Sequence, residues 1–150
     1  MSDLRELYQQ VIFDHNRKPR NFRTLTSATG RAEGYNPLCG DRVTVEVALE
    51  DGVIRDIGFQ GSGCAISKAS ASMMTAALKG KTVSAAEETF GRFRTMLTEN
   101  GSDGEVAGRL DKLAVFAGVR EFPSRIKCAT LPWHTVHAAL AGKTEPVTTE

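Results

Sequence analysis

The chain has 150 residues, of which 41% are hydrophobic and 25% charged, an ordinary composition for a globular domain with its own core. The formal charge of +1 gives no electrostatic reason to expect a nucleic acid or an anionic membrane as a partner. No apolar run approaches the roughly 20 residues that span a bilayer, and the N-terminus lacks the apolar segment of a secretory signal. We therefore expect a cytoplasmic protein, in which an odd count of three cysteines favours metal or thiol chemistry over disulfides.

The first predicted element is a helix from about Leu4 to His15, because apolar residues recur there at helical spacing. Residues 19–35 have no clear periodicity and are rich in arginine and glycine. We expect this segment to be irregular, with a possible edge strand at residues 31–35.

A β-hairpin is predicted next. Apolar residues alternate strictly with other residues between Val43 and Leu49, which is the pattern of a half-buried strand. Glu50-Asp51-Gly52 is a hairpin turn signal, and residues 53–59 give the returning strand. That strand runs into a glycine-rich bend before Cys64, so this thiol is expected at or beside the N-terminus of a helix that Gly80 ends.

Two further helical segments are predicted in the middle of the chain. Ser84 and Glu87 form a capping box that opens a helix to about Thr98. Apolar residues between Leu110 and Val119 predict another helix, although glycines interrupt the pattern.

The C-terminal part is predicted to hold one last helix. Phe122-Pro123-Ser124 is interpreted as a turn, and the helix is expected to begin near Thr130 with Pro132 close to its first turn. We predict one domain over residues 1–142 and a disordered tail over residues 143–150. The predicted fold is α+β, with a small antiparallel sheet of about three strands packed on one side by about five helices, and a metal site at the sheet/helix edge.

Three cysteines and one acid carry the candidate chemistry. The motif Asn36-Pro37-Leu38-Cys39-Gly40-Asp41 is a tight turn by composition, on which the thiolate of Cys39 and the carboxylate of Asp41 can face one cation. Cys64 and Cys128 also fall in turn contexts beside predicted helix starts, where amide N–H groups favour a thiolate. Three thiolates and one carboxylate form a tetrahedral set that suits Zn²⁺.

A structural interpretation of the cysteines competes with the metal site. Their spacings are not the paired C-x-x-C spacings of zinc fingers, so spacing alone is weak evidence for a metal. Cys39 as a surface thiol, Cys64 as a packed core thiol and an incidental Cys128 would explain the same residues. The residues by themselves leave both interpretations open.

A family resemblance favours the metal site. The segments Asn36–Asp41, Gly61-Ser62-Gly63-Cys64-Ala65-Ile66-Ser67 and Arg125-Ile126-Lys127-Cys128-Ala129-Thr130-Leu131 resemble, in order, the three cysteine motifs of the U-type iron–sulfur assembly proteins. The resemblance extends from the N-terminal helix through the hairpin to about Leu140.

Two features resemble the SufU branch of this family. IscU-type scaffolds have a His directly before the third cysteine, where this chain has Lys127, and the chain has an extra helical segment around residues 84–104. The resemblance implies a zinc-dependent sulfurtransferase that takes sulfur from a SufS-type, pyridoxal-phosphate-dependent cysteine desulfurase and serves downstream iron–sulfur assembly proteins. It implies Cys39 as the sulfur acceptor and Asp41, Cys64 and Cys128 as the remaining zinc ligands.

Two other function classes remain. The same thiols and Asp41 could ligate a [2Fe–2S] cluster in a scaffold protein, with Lys127 in place of His as the distinguishing residue. A thiol–disulfide redox protein would need the C-x-x-C motif that this chain lacks.

Other titratable residues receive structural interpretations. His134 and His137 are three residues apart on the last predicted helix, and we expect them to line a helix face rather than bind a metal. His15 is expected to cap a helix or lie on the surface. Arg125 and Lys127 either steer an anionic persulfide or are simply solvated.

Overall fold

The structure, a computed structural model, describes residues 2–37, 40–98, 113, 116, 119, 123–143 and 146–148. Within these ranges the elements are, in chain order, α1 (Ser2–Arg17), β1 (Gly30–Asn36), β2 (Asp41–Glu50), β3 (Val53–Ser62), α2 (Ala65–Leu78), α3 (Val83–Thr98), α4 (Pro123–Leu140) and β4 (Val147–Thr148). None of the helices in these ranges has the length and apolarity needed to cross a membrane.

The four strands form one mixed sheet in the order β3-β2-β1-β4. β1 and β2 pair antiparallel, as do β2 and β3. The turn between β2 and β3 has positive φ at Asp51 (54°) and Gly52 (76°), the backbone shape that a tight two-residue hairpin requires. The predicted α+β class and the antiparallel hairpin are therefore confirmed.

The predicted three-stranded sheet needs one correction, because a fourth strand comes from the tail. Val147 and Thr148 pair in parallel with Gly34 and Tyr35 of β1. The predicted strand at residues 31–35 is confirmed, but β1 lies inside the sheet instead of at its edge. Two residues are too few to show a strand pattern, so the prediction of a disordered tail is wrong for this pair.

The helices cover one face of the sheet, and the alternate strand residues that point to this face are buried. In β2, Val43, Val45 and Val47 are buried while the intervening residues are partly or fully exposed. The core between sheet and helices includes Trp133 of α4, which is fully buried and stacks on Phe93 of α3 with ring centroids 4.7 Å apart.

The last helix begins earlier than predicted. Pro123 and Ser124, interpreted as part of a turn, are the first two residues of α4, and Pro132 lies inside the helix. Proline suits the first helical position because its missing N–H would have no partner there. The predicted start near Thr130 is therefore wrong, and Cys128 lies within the helix instead of before it.

The middle of the chain holds a helix whose cap was predicted at the wrong residue. α3 is confirmed, but its N-cap is Thr82, whose Oγ1 accepts the N–H of Ala85, rather than Ser84. The helix predicted between residues 110 and 119 lies largely outside the described residues. Of that stretch, Leu113, Phe116 and Val119 are described and buried. The described ranges thus contain four helices where about five were predicted.

Candidate metal centre

The fold brings Asp41, Cys64 and Cys128 together. One ligand atom from each residue lies within 4.8 Å of those of the other two. Asp41 is the first residue of β2, Cys64 caps α2, and Cys128 lies in the second turn of α4. Among the residues that the structure describes, no other group of three His, Cys, Asp or Glu side chains converges in this way.

The Asp41 carboxylate is held on both oxygens. Its Oδ1 accepts the backbone N–H of Cys64 at 2.8 Å, and its Oδ2 accepts the Nδ2 amide of Asn36 at 3.3 Å. The side chain is almost fully buried, with 1% of its surface exposed. A buried carboxylate with several fixed donors is a preorganised oxygen ligand.

Cys64 occupies the N-cap of α2, as predicted. Its backbone is extended (φ −74°, ψ 165°), and its Sγ accepts the N–H of Ser67 at 3.4 Å. Gly63, just before it, has φ +156°, and a Cβ at this position would clash with Oδ1 of Asp41. The glycine therefore permits the close approach of the α2 N-terminus to the carboxylate.

Cys128 is positioned differently from the prediction. It is fully buried inside α4, so the helix N-terminus does not directly favour its thiolate as expected for a residue ahead of the helix. Its Sγ accepts the Nδ2 amide of Asn36 at 3.5 Å and donates to the carbonyl of Ser124 at the same distance. The sulfur therefore contacts the Asn36 amide and the Ser124 carbonyl, and not the free N–H groups of a helix N-terminus as predicted.

Arg125 is a cation that interacts with both sulfurs. The charge of the Cys64 thiolate raises the pKa of Arg125 above its ordinary value, partial burial opposes this, and Cys128 adds to the increase. Within the described residues, no hydrogen bond or ion pair joins the side chain of Lys127 to either thiol. Of the two basic residues that the sequence suggested, Arg125 is the one placed to offset the charge of the thiolates.

Cys39, the predicted sulfur acceptor and fourth ligand, lies outside the described residues. Its neighbours Pro37 and Gly40 are described and exposed, and Gly40 has φ +71°, which favours glycine. The participation of Cys39 in the site stays a prediction.

The histidines are placed apart from this centre. Nδ1 of His137 lies 2.8 Å from each carboxylate oxygen of Glu87, and burial lowers the pKa of His134 below its ordinary value. Their position between α3 and α4 agrees with the predicted structural role. His15 lies in the last turn of α1, as the prediction of a helix-end position expects, but it is buried with Nδ1 2.7 Å from Oγ of Ser72, so the surface alternative is wrong.

Asn36 is the residue of the site that sequence reasoning missed. It is the first residue of the motif that contains Cys39, and the sequence alone predicts no role for it. In the structure it is fully buried and paired with Asp41 across β1 and β2. The pairing of the two strands that flank the motif is the observation that could have identified it.

The donor set fits a zinc ion. Two sulfurs and one carboxylate oxygen converge from three elements, and Zn²⁺ takes such ligands in a four-coordinate arrangement. Three described donors leave room for one more ligand in a tetrahedral shell.

Comparisons with known proteins identify the family of the chain. Residues 7–129 match the sequence model of the NifU-like N-terminal domain family. The chain is 39% identical over 140 residues to the zinc-dependent sulfurtransferase SufU of Bacillus subtilis, covering 93% of each chain. It is 36% identical over 140 residues to the iron–sulfur cluster assembly scaffold protein IscU of Streptococcus pyogenes, covering 93% of this chain and 86% of that one.

Solved structures show the same fold. A crystal structure described as a scaffold protein of the SUF system from Fervidobacterium islandicum superposes with a TM-score of 0.79 at 34% identity, covering 87% of this chain and 94% of that one. The N-terminal part of a NifU-like protein from Brucella abortus gives a TM-score of 0.81 at 27% identity, covering 90% and 92%. The resemblance stated from the motifs is confirmed, and the chain belongs to the NifU-like N-terminal domain family of U-type iron–sulfur cluster assembly proteins.

Proposed function

We propose that the protein is a zinc-dependent sulfurtransferase that accepts persulfide sulfur from a SufS-type cysteine desulfurase at Cys39 and relays it for iron–sulfur cluster assembly. The observation that carries the proposal is the convergence of Asp41, Cys64 and Cys128 within 4.8 Å. The similarity to a relative named as a zinc-dependent sulfurtransferase supports the same activity.

Chain geometry supports Cys39 as the fourth ligand. Two trans peptide units separate it from Asp41, so the two Cα atoms are at most about 7.6 Å apart. Because the Asp41 carboxylate is part of the convergent group, the Cys39 thiol is tethered within reach of the same ion. Gly40, between the two residues, has a positive φ of 71° and no side chain that would hinder the exchange proposed for Cys39.

The reaction is an exchange between sulfur atoms. A bound zinc ion would keep the cysteine ligands deprotonated and would contribute no redox chemistry. When the desulfurase docks, the Cys39 thiolate attacks the terminal sulfur of the desulfurase persulfide. A new S–S bond forms at Cys39, the donor S–S bond breaks, and the desulfurase cysteine leaves as a thiolate. Sulfur moves at constant oxidation level, so no external oxidant or reductant is required.

The other site residues hold their positions during this exchange. Asp41 is fixed by two hydrogen bonds, and the sulfur of Cys64 accepts one from its own helix. Arg125 lies beside the two sulfurs and offsets negative charge that approaches with an anionic persulfide. A relay needs one exchangeable nucleophile beside ligands that stay in place, and the proposal gives the first part to Cys39 and the second to these residues.

Desulfurase turnover tests the proposal. We expect the zinc-loaded wild-type protein to increase the rate at which the pyridoxal-phosphate-dependent desulfurase turns over cysteine. The Cys39→Ala variant should give no increase. Glu50→Gln is a matched control, because Glu50 is an exposed residue at the far end of β2. A Cys39→Ala protein that still became persulfidated or still stimulated turnover would overturn the role of Cys39.

A scaffold for a [2Fe–2S] cluster is the second candidate function. It is favoured by relatives named as scaffold proteins and by the same donor set, since thiolates also hold iron–sulfur clusters. The metal content of the purified protein separates the two. A colourless protein with about one zinc per chain supports the relay, whereas a brown, oxygen-labile protein supports the scaffold.

A further inference from the structure

Asn36 lies at the meeting point of two candidate ligands. It is the last residue of β1 and pairs with Asp41, the first residue of β2. Paired residues of adjacent strands place their side chains on the same face of a sheet, so the amide lies beside the carboxylate. The residue is fully buried, and both hydrogen-bond partners of its side-chain amide are candidate metal ligands.

One amide group bridges the two ligands. The Nδ2 group of asparagine has two hydrogens, and here it donates to Oδ2 of Asp41 at 3.3 Å and to Sγ of Cys128 at 3.5 Å. Asp41 belongs to the sheet and Cys128 to α4, 92 residues from Asn36 in sequence. The bridge therefore connects ligands from two separate layers of the fold.

The other end of the amide has no partner. Oδ1 of Asn36 is a buried polar atom without a hydrogen bond, and among the described side chains it is the only such nitrogen or oxygen atom. Rotating the amide by half a turn would place this carbonyl oxygen against the carboxylate and the sulfur, and both donated bonds would be lost. The buried carbonyl of Asn36 has no partner while both of its N–H groups have one, so the contacts that this side chain makes are those of its N–H groups.

We propose that Asn36 is a positioning residue of the metal centre: its amide holds Asp41 and Cys128 in ligand geometry so that Cys39 can exchange without release of the ion. This inference rests on the proposed function for the role of Cys39. Hydrogen bonds to ligand atoms fix their orientation, and the loss of such a partner typically weakens metal retention about 10- to 100-fold.

Metal retention without the desulfurase tests the inference. In Asn36→Leu, a side chain with the same branching but greater bulk removes both donors. We expect Zn²⁺ transfer to a chromogenic chelator to be about 10- to 100-fold faster than from the wild type. We also expect the sulfur-to-metal charge-transfer bands of the Co²⁺-substituted protein to shift. If leucine does not fit at this position, Zn²⁺ transfer and the Co²⁺ spectrum are measured on Asn36→Ala, whose side chain is smaller.

A control variant separates positioning from packing. Thr135→Val removes a buried hydroxyl that donates to the Leu131 carbonyl on α4, away from the ligands. We expect it to leave zinc release and the Co²⁺ spectrum unchanged. The gain in unfolding stability that Zn²⁺ gives the wild type should shrink in Asn36→Leu and persist in Thr135→Val. Asn36 variants with wild-type release rates and spectra would overturn the inference.

The two proposals can fail separately. If the wild type binds Zn²⁺ but does not stimulate the desulfurase, the relay fails and the role of Asn36 in metal retention stands. If the Asn36 variants retain Zn²⁺ like the wild type while Cys39→Ala abolishes stimulation, the positioning role fails and the relay stands.

Discussion

The backbone N–H of Cys64 donates a 2.8 Å hydrogen bond to Oδ1 of Asp41, which joins two candidate ligands 23 residues apart in sequence. Asp41 begins a strand and Cys64 caps a helix, so both are attached to rigid elements. A site built in this way has its ligand positions set by the fold before an ion binds, which lowers the cost of binding. The exchangeable thiol then belongs on the connecting segment, where the proposal places Cys39.

Two replacements of Asp41 should distinguish the effect of its negative charge from the effect of its hydrogen bond to Cys64. Asp41→Asn keeps an oxygen that can accept the Cys64 N–H but removes the negative charge. Because the new amide group would face the Nδ2 donor of Asn36, we expect the metal-free Asn variant to be less stable than the wild type but more stable than Asp41→Ala, and to lose Zn²⁺ faster than the wild type. Asp41→Ala should also lose about 1–3 kcal/mol of unfolding free energy, because it leaves the Cys64 N–H unpaired.

Urea unfolding of the metal-free proteins and chelator competition of the loaded ones measure these two effects. Glu50→Gln, on the exposed end of the same strand, should change neither quantity. Equal unfolding midpoints for Asp41→Ala and Asp41→Asn would show that the hydrogen bond to Cys64 does not support the fold.

The second prediction concerns Gly63, where the backbone passes close to the Asp41 side chain. A Cβ at this residue would clash with the Asp41 carboxylate, and φ is +156°. We expect Gly63→Ala to displace Asp41, to speed Zn²⁺ loss and to lower the unfolding free energy by about 1–3 kcal/mol.

Gly91 provides the matched control for this substitution. It lies in α3, and an added Cβ would meet nothing within 4 Å. Because alanine favours the helix interior over glycine, Gly91→Ala should stabilise the protein by up to about 1 kcal/mol and leave Zn²⁺ release unchanged. A Gly63→Ala protein with wild-type stability and metal retention would show that the α2 N-terminus can move away from the carboxylate at no cost.

The parts of the fold that the sequence predicted well are those determined by local pattern. Strict alternation and a two-residue turn predicted the β2–β3 hairpin, and the glycine-rich bend predicted that Cys64 lies at the start of a helix. Phe122-Pro123-Ser124 misled the prediction because proline is as suited to a helix start as to a turn, and packing against the sheet decides between them.

Two of the missed features depend on contacts between distant residues. β4 has two residues and exists only through its pairing with β1. The role of Asn36 follows from the β1–β2 register and from the position of Cys128, 92 residues later. The convergence of Asp41, Cys64 and Cys128 was not missed, but its prediction depended on the family motifs. The spacing of the cysteines alone leaves a purely structural role for the thiols equally open.

Arg125 carries a third prediction. Its guanidinium lies near the sulfurs of Cys64 and Cys128, so it offsets part of the negative charge of a shell of thiolates and carboxylate. We expect Arg125→Gln to release Zn²⁺ about two- to five-fold faster, a size that fits an exposed ion pair. The rate of Zn²⁺ release from Arg125→Lys should lie between those of the wild type and Arg125→Gln, because lysine keeps the positive charge but lacks the planar guanidinium group.

Salt dependence makes the Arg125 prediction specific. The difference between wild type and Arg125→Gln should decrease as ionic strength rises, because exposed charges are screened. Arg31→Gln is the control, since Arg31 is exposed and pairs with Glu33 on the sheet. A difference in Zn²⁺ release that is independent of salt would exclude an electrostatic role.

The last prediction concerns pH and His134. Burial is the largest cause that lowers the pKa of His134, and the charges of Arg94 and His137 add to it. Glu87, which faces this pair from α3, is bound to His137 instead. The unfolded chain therefore binds a proton at His134 more readily than the folded protein does, and the free energy of unfolding should fall as the pH drops below about 6.5.

Urea unfolding of the metal-free protein at pH 7.5 and 5.5 measures this contribution. The wild type should lose more stability over this interval than His134→Gln, whose side chain does not titrate. Glu88→Gln on α3, which removes an exposed carboxylate paired with Arg92, should follow the wild type closely. Because every other histidine remains in His134→Gln, an equal loss of stability in this variant and the wild type would assign the acid sensitivity to groups other than His134.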